Sequence, residues 1–335
     1  MPFTIKRGVN ISHWLSQSKK RGDERRNYFT RENAERMAEV GFDHLRIPVD
    51  EEHLWTEDGE PIEEAFDLLS GALDWCEDFG LRAIVDLHIL RSHHFNAAQR
   101  SLFSDHSALE RFLMCWEDLS RHMATRSVES VAYELLNESV ADDPNDWNRV
   151  AAAGFGAIRE QEPERVVVLG SNRWNSPQTF DVLKVPEDER LILTFHFYEP
   201  FYLTHYRAGW TNIADYTGPV HYPGKGMKRD DLTWASDAVR DRVAKIKNFS
   251  CRAALARLIE KPLAVRRKTA LPLYCGEWGC ILRAPRPDRL RWYADVRRIL
   301  EDNDISWCAW DRRGGFGIEN EQGELDAELA RILLA

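Results

Sequence analysis

Short apolar runs alternate with amphipathic stretches from one end of the chain to the other. RGVNIS at 7–12 reads as a first strand. A helix is predicted over 29–40, with Thr30 placed to cap its start and Gly41 to end it in a left-handed turn. FDHLRIPVD at 42–50 is the second strand, and a helix follows from Pro61, a residue suited to the first helical position, to Gly80. LRAIVDLH at 81–88 is the third strand. Over 107–126, Leu109, Phe112, Leu113, Trp116, Leu119 and Met123 recur at helical spacing. VAYELLNES at 131–139 is the fourth strand, with a helix over 145–161 behind it. RVVVLGSN (165–172), LILTFHFYEP (191–200), LPLYCGEWG (271–279) and SWCAWDRR (306–313) supply strands five to eight, and a closing helix runs over 324–335.

Several of these strands are near-continuous apolar runs, as parallel strands covered on both faces are. Eight strand–helix units in this order point to an α/β fold, a (β/α)8 TIM barrel, as a single domain spanning 1–335. A doubly wound open sheet uses the same alternation, but neither GxGxxG nor GxxxxGK(S/T) follows the first strand, which counts against its nucleotide-binding form. One segment breaks the rhythm. Residues 201–250, after strand six, are rich in aromatics, glycine and charge (FYLTHYRAGW, HYPGKG) and read as a long loop insertion. At the C-terminal end of barrel strands such an insertion is expected to wall a cleft, with Tyr202, Tyr206 or Trp210 facing into it.

Composition narrows the classes of function. Of 335 residues, 43% are hydrophobic and 30% charged, ample for a large core. A net charge of −10 argues against a general nucleic-acid binder. No stretch approaches the roughly 18 apolar residues of a membrane span. MPFTIKRGVNIS has no apolar h-region and no small-residue cleavage site, so a cytoplasmic location is the expectation. The six cysteines are scattered without CxxC spacing, and free buried thiols are expected rather than a zinc or redox motif.

Glu138 and Glu277 are the informative residues. Each stands where an apolar strand emerges, so a rigid scaffold places it and partly strips it of water. Two such carboxylates are what a glycosidase needs, one as acid and one as nucleophile or base. Other polar residues gather at the same strand ends: Arg46, His88, Asn137, His196, Tyr198 and Trp310. Singly, each has an ordinary explanation as a cap, an ion-pair partner or a core side chain. Together they would all have to reach one face of a barrel by accident.

The pieces GVNIS, LRIP, DLH, LLNE, HFY, GEWG and a late strand ending in Trp stand in this order from strand one to strand eight. In that arrangement the chain resembles glycoside hydrolase family 5, clan A retaining β-glycosidases on (β/α)8 barrels, in its cellulase-like branch. The resemblance implies Glu138 as general acid/base, Glu277 as nucleophile, and Asn137 on the sugar 2-hydroxyl. It implies that Arg46 and Tyr198 hold Glu277 ionised, that His88 and His196 line the subsite, and that Trp310 forms its floor. No cofactor or metal is implied. The substrate implied is a β-glucan or β-gluco-oligosaccharide cut by double displacement, with exo-β-1,3-glucosidase action or another family-5 specificity as alternatives. Two other classes stand beside this reading. His88, His93, His94 and His196 could form a hydrolytic metal centre, although no His-x-His lies on strand one, where His13 stands alone. A noncatalytic carbohydrate-binding protein is the third.

Overall fold

The structure, a computed structural model, describes residues 3–96, 98–227 and 236–335. Its strands are β1 (Arg7–Asn10), β2 (His44–Asp50), β3 (Arg82–Ile89), β4 (Val131–Glu134), β5 (Val167–Gly170), β6 (Leu191–Phe197), β7 (Leu273–Trp278) and β8 (Ser306–Ala309). They close into one parallel barrel in which each strand pairs with its sequence neighbours and β8 returns to β1. The helices α1 (Arg31–Val40), α2 (Glu63–Asp78), α3 (His106–Met123), α4 (Pro144–Gln161), α5 (Asp237–Lys245), α6 (Glu260–Thr269), α7 (Arg286–Asp302) and α8 (Ala327–Leu334) lie between or after the strands.

The local chemistry explains most of these elements. α1 starts after Thr30, whose backbone N–H donates to the Asn33 side chain at 3.1 Å, and it stops at Gly41, where φ is 112°. α4 opens on Pro144 behind an Asp143 cap. All seven residues of β2 are buried, including the charged Arg46 and Asp50. Inside the barrel, Ile84, Ala132, Val168, Ile192, Tyr274 and Cys308 pack as one cluster, joined by Phe3 and Ile5 from the N-terminal segment. The six cysteines are free, and all but Cys251 are buried.

The expected pattern needs three corrections. β4 leaves the ladder at Glu134 instead of running to 139, and Glu138 has a left-handed backbone with φ 43°. β5 and β6 are joined without a long helix: a four-residue turn with left-handed backbone (Asn172–Asn175) and a 3-10 turn (Pro177–Val182) take its place. The 201–250 insertion carries structure of its own, a turn at Phe201–Thr204, two short antiparallel strands (Gly224–Lys225 and Phe249–Ser250) and α5, while residues 228–235 of it lie outside the described residues. Among the described residues no helix is long and apolar enough to cross a membrane.

Two irregularities shape the end of the barrel that carries Glu277. The β6–β7 register shifts between Phe195 and His196, which sets His196 opposite Glu277. Gly276 is needed at that point, since a Cβ there would lie 2.8 Å from Thr194 Oγ1.

Candidate active site

The C-terminal ends of the strands surround a cleft of about 930 Å³, and Glu138, Glu277, His88, His196, Tyr198 and Trp310 all line it. Arg46 and Asn137, the two remaining residues singled out in the sequence, lie directly beneath, 0% and 1% exposed. The fold therefore brings all eight together. Glu138 comes from the turn after β4 and Glu277 from β7. An oxygen of each and a ring nitrogen of His196 lie within 4.8 Å of one another.

Arg46 organises the layer under the cleft. Its Nη1 donates to Glu277 Oε1 at 2.8 Å and to Asn10 Oδ1 at 2.9 Å. Its Nε and Nη2 form a two-pronged pair with Glu134 at 2.8 and 3.0 Å. Nη2 also donates to Asn137 Oδ1 at 2.9 Å and approaches Asp86 Oδ2 at 3.0 Å. One guanidinium thus serves three buried carboxylates, and their field holds its pKa well above the ordinary value despite burial. Burial pushes Asp86 up to about 7 and raises Glu134, with Arg46 opposing both shifts.

Removing this cation leaves buried charges unpaired. We expect Arg46→Leu to cost about 3–5 kcal/mol of stability in chemical denaturation. The sign with pH is fixed. Carboxylates whose folded pKa lies above the unfolded value bind more protons when folded, so the deficit grows as pH rises from about 4 towards 8. A variant as stable as the parent at pH 8 would contradict this electrostatic account.

The two cleft carboxylates have different surroundings. Tyr198 Oη donates to Glu277 Oε2 at 2.9 Å, so Glu277 accepts two strong hydrogen bonds, from Tyr198 and Arg46. Glu138 has one side-chain partner, His196, whose Nδ1 lies 2.9 Å from Oε1. Burial raises both, Glu138 to about 8 and Glu277 to about 7. At Glu277 the neighbouring His196, Arg46 and the Tyr198 hydroxyl favour the ionised form, whereas at Glu138 Arg46 does so too but Asp86 and Glu134 add opposing negative field.

His88 Nδ1 donates to Asp86 at 2.6 Å, its Nε2 lies 2.8 Å from Gln17 Nε2, and its ring is parallel to Trp310 at 5.7 Å and 6°. Burial holds both His88 and His196 uncharged at neutral pH, His196 near 4.

Asn10, Gln17, Asp86 and Glu134 escaped the sequence reading. Asp86 and Glu134 did carry a signal, an acid inside an otherwise apolar strand (AIVDLH, VAYELL), whereas Asn10 and Gln17 have none without the fold. The 201–250 segment does wall the cleft, through Phe201 and Trp210. Tyr202 is instead 1% exposed in the core, and Tyr206 turns its hydroxyl to the carbonyls of Thr217 and Gly218 at 3.2 and 2.9 Å. The four histidines of the metal-centre alternative do not converge: His93 Nε2 lies 3.2 Å from Glu138 O and its ring meets Phe103. Among the described residues, the donor trios close enough for a cation are Asp50–Glu52–His53 and Glu138–His196–Glu277, and neither contains His88, His93 or His94.

Comparison with known proteins agrees with this geometry. The family model described as cellulase (glycosyl hydrolase family 5) matches residues 10–314. Endoglucanase C of Acetivibrio thermocellus is 32% identical over 341 residues, covering 98% of each chain. Cellodextrinase A of Ruminococcus flavefaciens is 29% identical, covering 90% of this chain and 84% of that protein. Among solved structures, the cellulose synthase subunit Z of Clostridioides difficile superposes with TM-score 0.81 at 21% identity, covering 99% of this chain and 100% of the other. An endoglucanase of Thermotoga maritima superposes with TM-score 0.77 at 22% identity, covering 98% and 96%. These two share the barrel fold.

Proposed function

This chain belongs to glycosyl hydrolase family 5 and is a retaining glycoside hydrolase, and we propose that it cleaves β-1,4-linked glucan and its soluble oligosaccharides with Glu277 as nucleophile and Glu138 as acid/base. The observation that carries the assignment of roles is the asymmetry of the pair. Glu277 is ringed by donors from Arg46 and Tyr198, while Glu138 meets only His196 and the added field of Asp86 and Glu134. Their approach within 4.8 Å is nearer the about 5–5.5 Å separation of a retaining pair than the about 6.5–9.5 Å of an inverting one.

In this reading the sugar stacks on Trp310, and ionised Glu277 attacks its anomeric carbon. The glycosidic oxygen takes the proton of Glu138 and leaves. Glu138, now a carboxylate, removes a proton from the water that enters, and that water displaces Glu277 from the sugar. Two inversions return the β-configuration. Asn137 Nδ2 is buried without a protein partner and is left to donate to the 2-hydroxyl, a contact that strengthens as charge develops on the ring.

The β-1,4-glucan assignment is supported by the relatives named endoglucanase and cellodextrinase. A panel of β-1,4- and β-1,3-gluco-oligosaccharides and manno-oligosaccharides, with product analysis, tests it. The β-1,4-gluco series should lead in kcat/KM by about tenfold or more, the scale on which one well-made pocket contact discriminates. A lead for the β-1,3 or manno series would overturn the substrate while leaving the mechanism standing.

Two further expectations arise from the same cleft. Trp210 is 58% exposed on the cleft wall and offers a stacking face to an extended chain. Trp210→Ala should lower kcat/KM on long oligosaccharides by about 5- to 30-fold, equivalent to 1–2 kcal/mol of lost stacking, and spare short aryl glycosides. Equal losses on both would remove Trp210 from the binding path. Tyr198→Phe deletes a donor to ionised Glu277, which raises the pKa of that group. The acid limb of kcat/KM, where Glu277 must lose its proton, should move up by roughly one unit. An unmoved or lowered limb would mean that Glu277 is not the group titrating there.

A further inference from the structure

We infer that Asn175 is a positioning residue that fixes the tautomer of His196 and thereby selects which oxygen of Glu138 carries the transferable proton. The inference rests on the reading of Glu138 as the acid. Asn175 Nδ2 lies 3.3 Å from His196 Nε2, on the far side of the ring from Glu138, whose Oε1 is 2.9 Å from Nδ1. All three side chains are buried, Asn175 completely.

A neutral imidazole has one proton for its two nitrogens. An amide NH2 facing Nε2 requires a lone pair there, so the proton resides on Nδ1 and is donated to Glu138 Oε1. Oε1 is then committed as an acceptor. The acidic proton of Glu138 is left for Oε2, free to point towards a glycosidic oxygen. In the opposite tautomer Nδ1 would carry the lone pair, and the Glu138 proton would be drawn into the His196 ring and away from the leaving group. The ring stays neutral because it is buried with Arg46 near it, although Glu277 and Glu134 favour a charged ring.

The backbone is shaped around this contact. Arg173, Trp174 and Asn175 all have left-handed φ (54°, 61° and 49°), an unusual run for residues with side chains. The turn is tied to the residues after Glu138: Trp174 N–H donates to Ser139 O at 3.1 Å, and the Asn172 side chain pairs with the Ala141 backbone in both directions at 2.9 Å. Gly170 clears the space, since a Cβ there would fall 2.4 Å from Asn175 Oδ1. The turn that holds the amide is thus anchored to the segment that holds the acid.

The test reads the tautomer and the chemistry separately. In 15N-histidine-labelled enzyme, with His196→Gln assigning the signal, His196 should be protonated on Nδ1 and bare on Nε2. Asn175→Asp places a carboxylate at Nε2 and should move the proton there or charge the ring. Its kcat/KM should fall by roughly 10²-fold on a phenyl β-cellobioside, which needs acid assistance, and by less than about threefold on the dinitrophenyl analogue, which does not. Asn175→Ala, which removes the donor without adding charge, should show the same leaving-group split and guards against an Asp variant that fails to fold. An Nε2-protonated ring in the parent enzyme, or equal losses on both substrates, would overturn the inference. Glu138→Ala is run alongside. If it too lacks the split, the assignment of Glu138 as acid has failed. If it shows the split and the Asn175 variants do not, only the role of Asn175 has failed.

Discussion

Glu277→Ala is expected to abolish hydrolysis, lowering kcat by roughly 10⁴-fold or more, the scale of removing a covalent nucleophile. Added azide should restore turnover on substrates with good leaving groups, and the product should be the α-glycosyl azide. The reason is geometric. The shortened side chain opens a space on the α-face of the anomeric carbon beside Arg46 Nη1 and Tyr198 Oη, the two donors that held the carboxylate at 2.8 and 2.9 Å. A small anion fits there and attacks once, so configuration inverts. Rescue to a β-azide, or a variant retaining a tenth of parental activity, would mean that Glu277 is not the nucleophile. Folding is not expected to suffer, because Arg46 keeps Glu134 and Asp86 as partners.

Glu138→Ala should behave differently. With dinitrophenyl glycosides the first step needs little protonation, so kcat/KM should stay within about tenfold of the parent, while unactivated oligosaccharides lose about 10³-fold. The glycosyl-enzyme then accumulates, because the base for the second step is missing as well. Azide should accelerate its breakdown and yield the β-glycosyl azide, since the anion now replaces water on the face that Glu277 does not occupy. Steady-state progress curves with a burst, abolished by azide, would record this. Loss of equal size on activated and unactivated substrates would dissociate Glu138 from proton transfer.

The barrel was legible because burial on both faces leaves a plain mark on a sequence. HLRIPVD and LILTFHF are apolar runs interrupted only where a side chain has a task, and both are strands buried along their whole length. Most of the eight residues were legible for the same reason, standing at or near the exit of such a run, while Arg46 is a charge inside one, the third residue of β2. Periodicity carried less where local pattern and backbone geometry part company. VAYELLNES reads as one strand to Ser139, yet regular pairing ends at Glu134, with single bonds from Leu135 to Val168 and from Asn137 to Leu87 beyond it, and the backbone is left-handed at Glu138. SNRWNS gives no hint that Asn175 meets His196, since the contact depends on three consecutive left-handed residues and on the space over Gly170. FYLTHYRAGW is aromatic throughout, and only packing decides that Tyr202 goes to the core while Phe201 and Trp210 face the cleft.

The layer beneath the cleft also shows why the site's charges cannot be read one at a time. Arg46, Asp86, Glu134, Glu277 and Glu138 lie in one buried network with a single strong cation, so at least part of the acidic charge must be held as protonated carboxyl at neutral pH. The donors decide where. They gather on Glu134 and Glu277 and leave Glu138 the poorest in partners, which is the distribution a retaining hydrolase needs before substrate arrives. One measurement meets that claim head on: the anomer released first by the parent enzyme from a β-1,4-gluco-oligosaccharide, followed by proton NMR in the first minutes before mutarotation. The β-anomer should appear first and the α-anomer only later. Initial release of the α-anomer would mean a single displacement, and the roles given to Glu277 and Glu138 would be wrong.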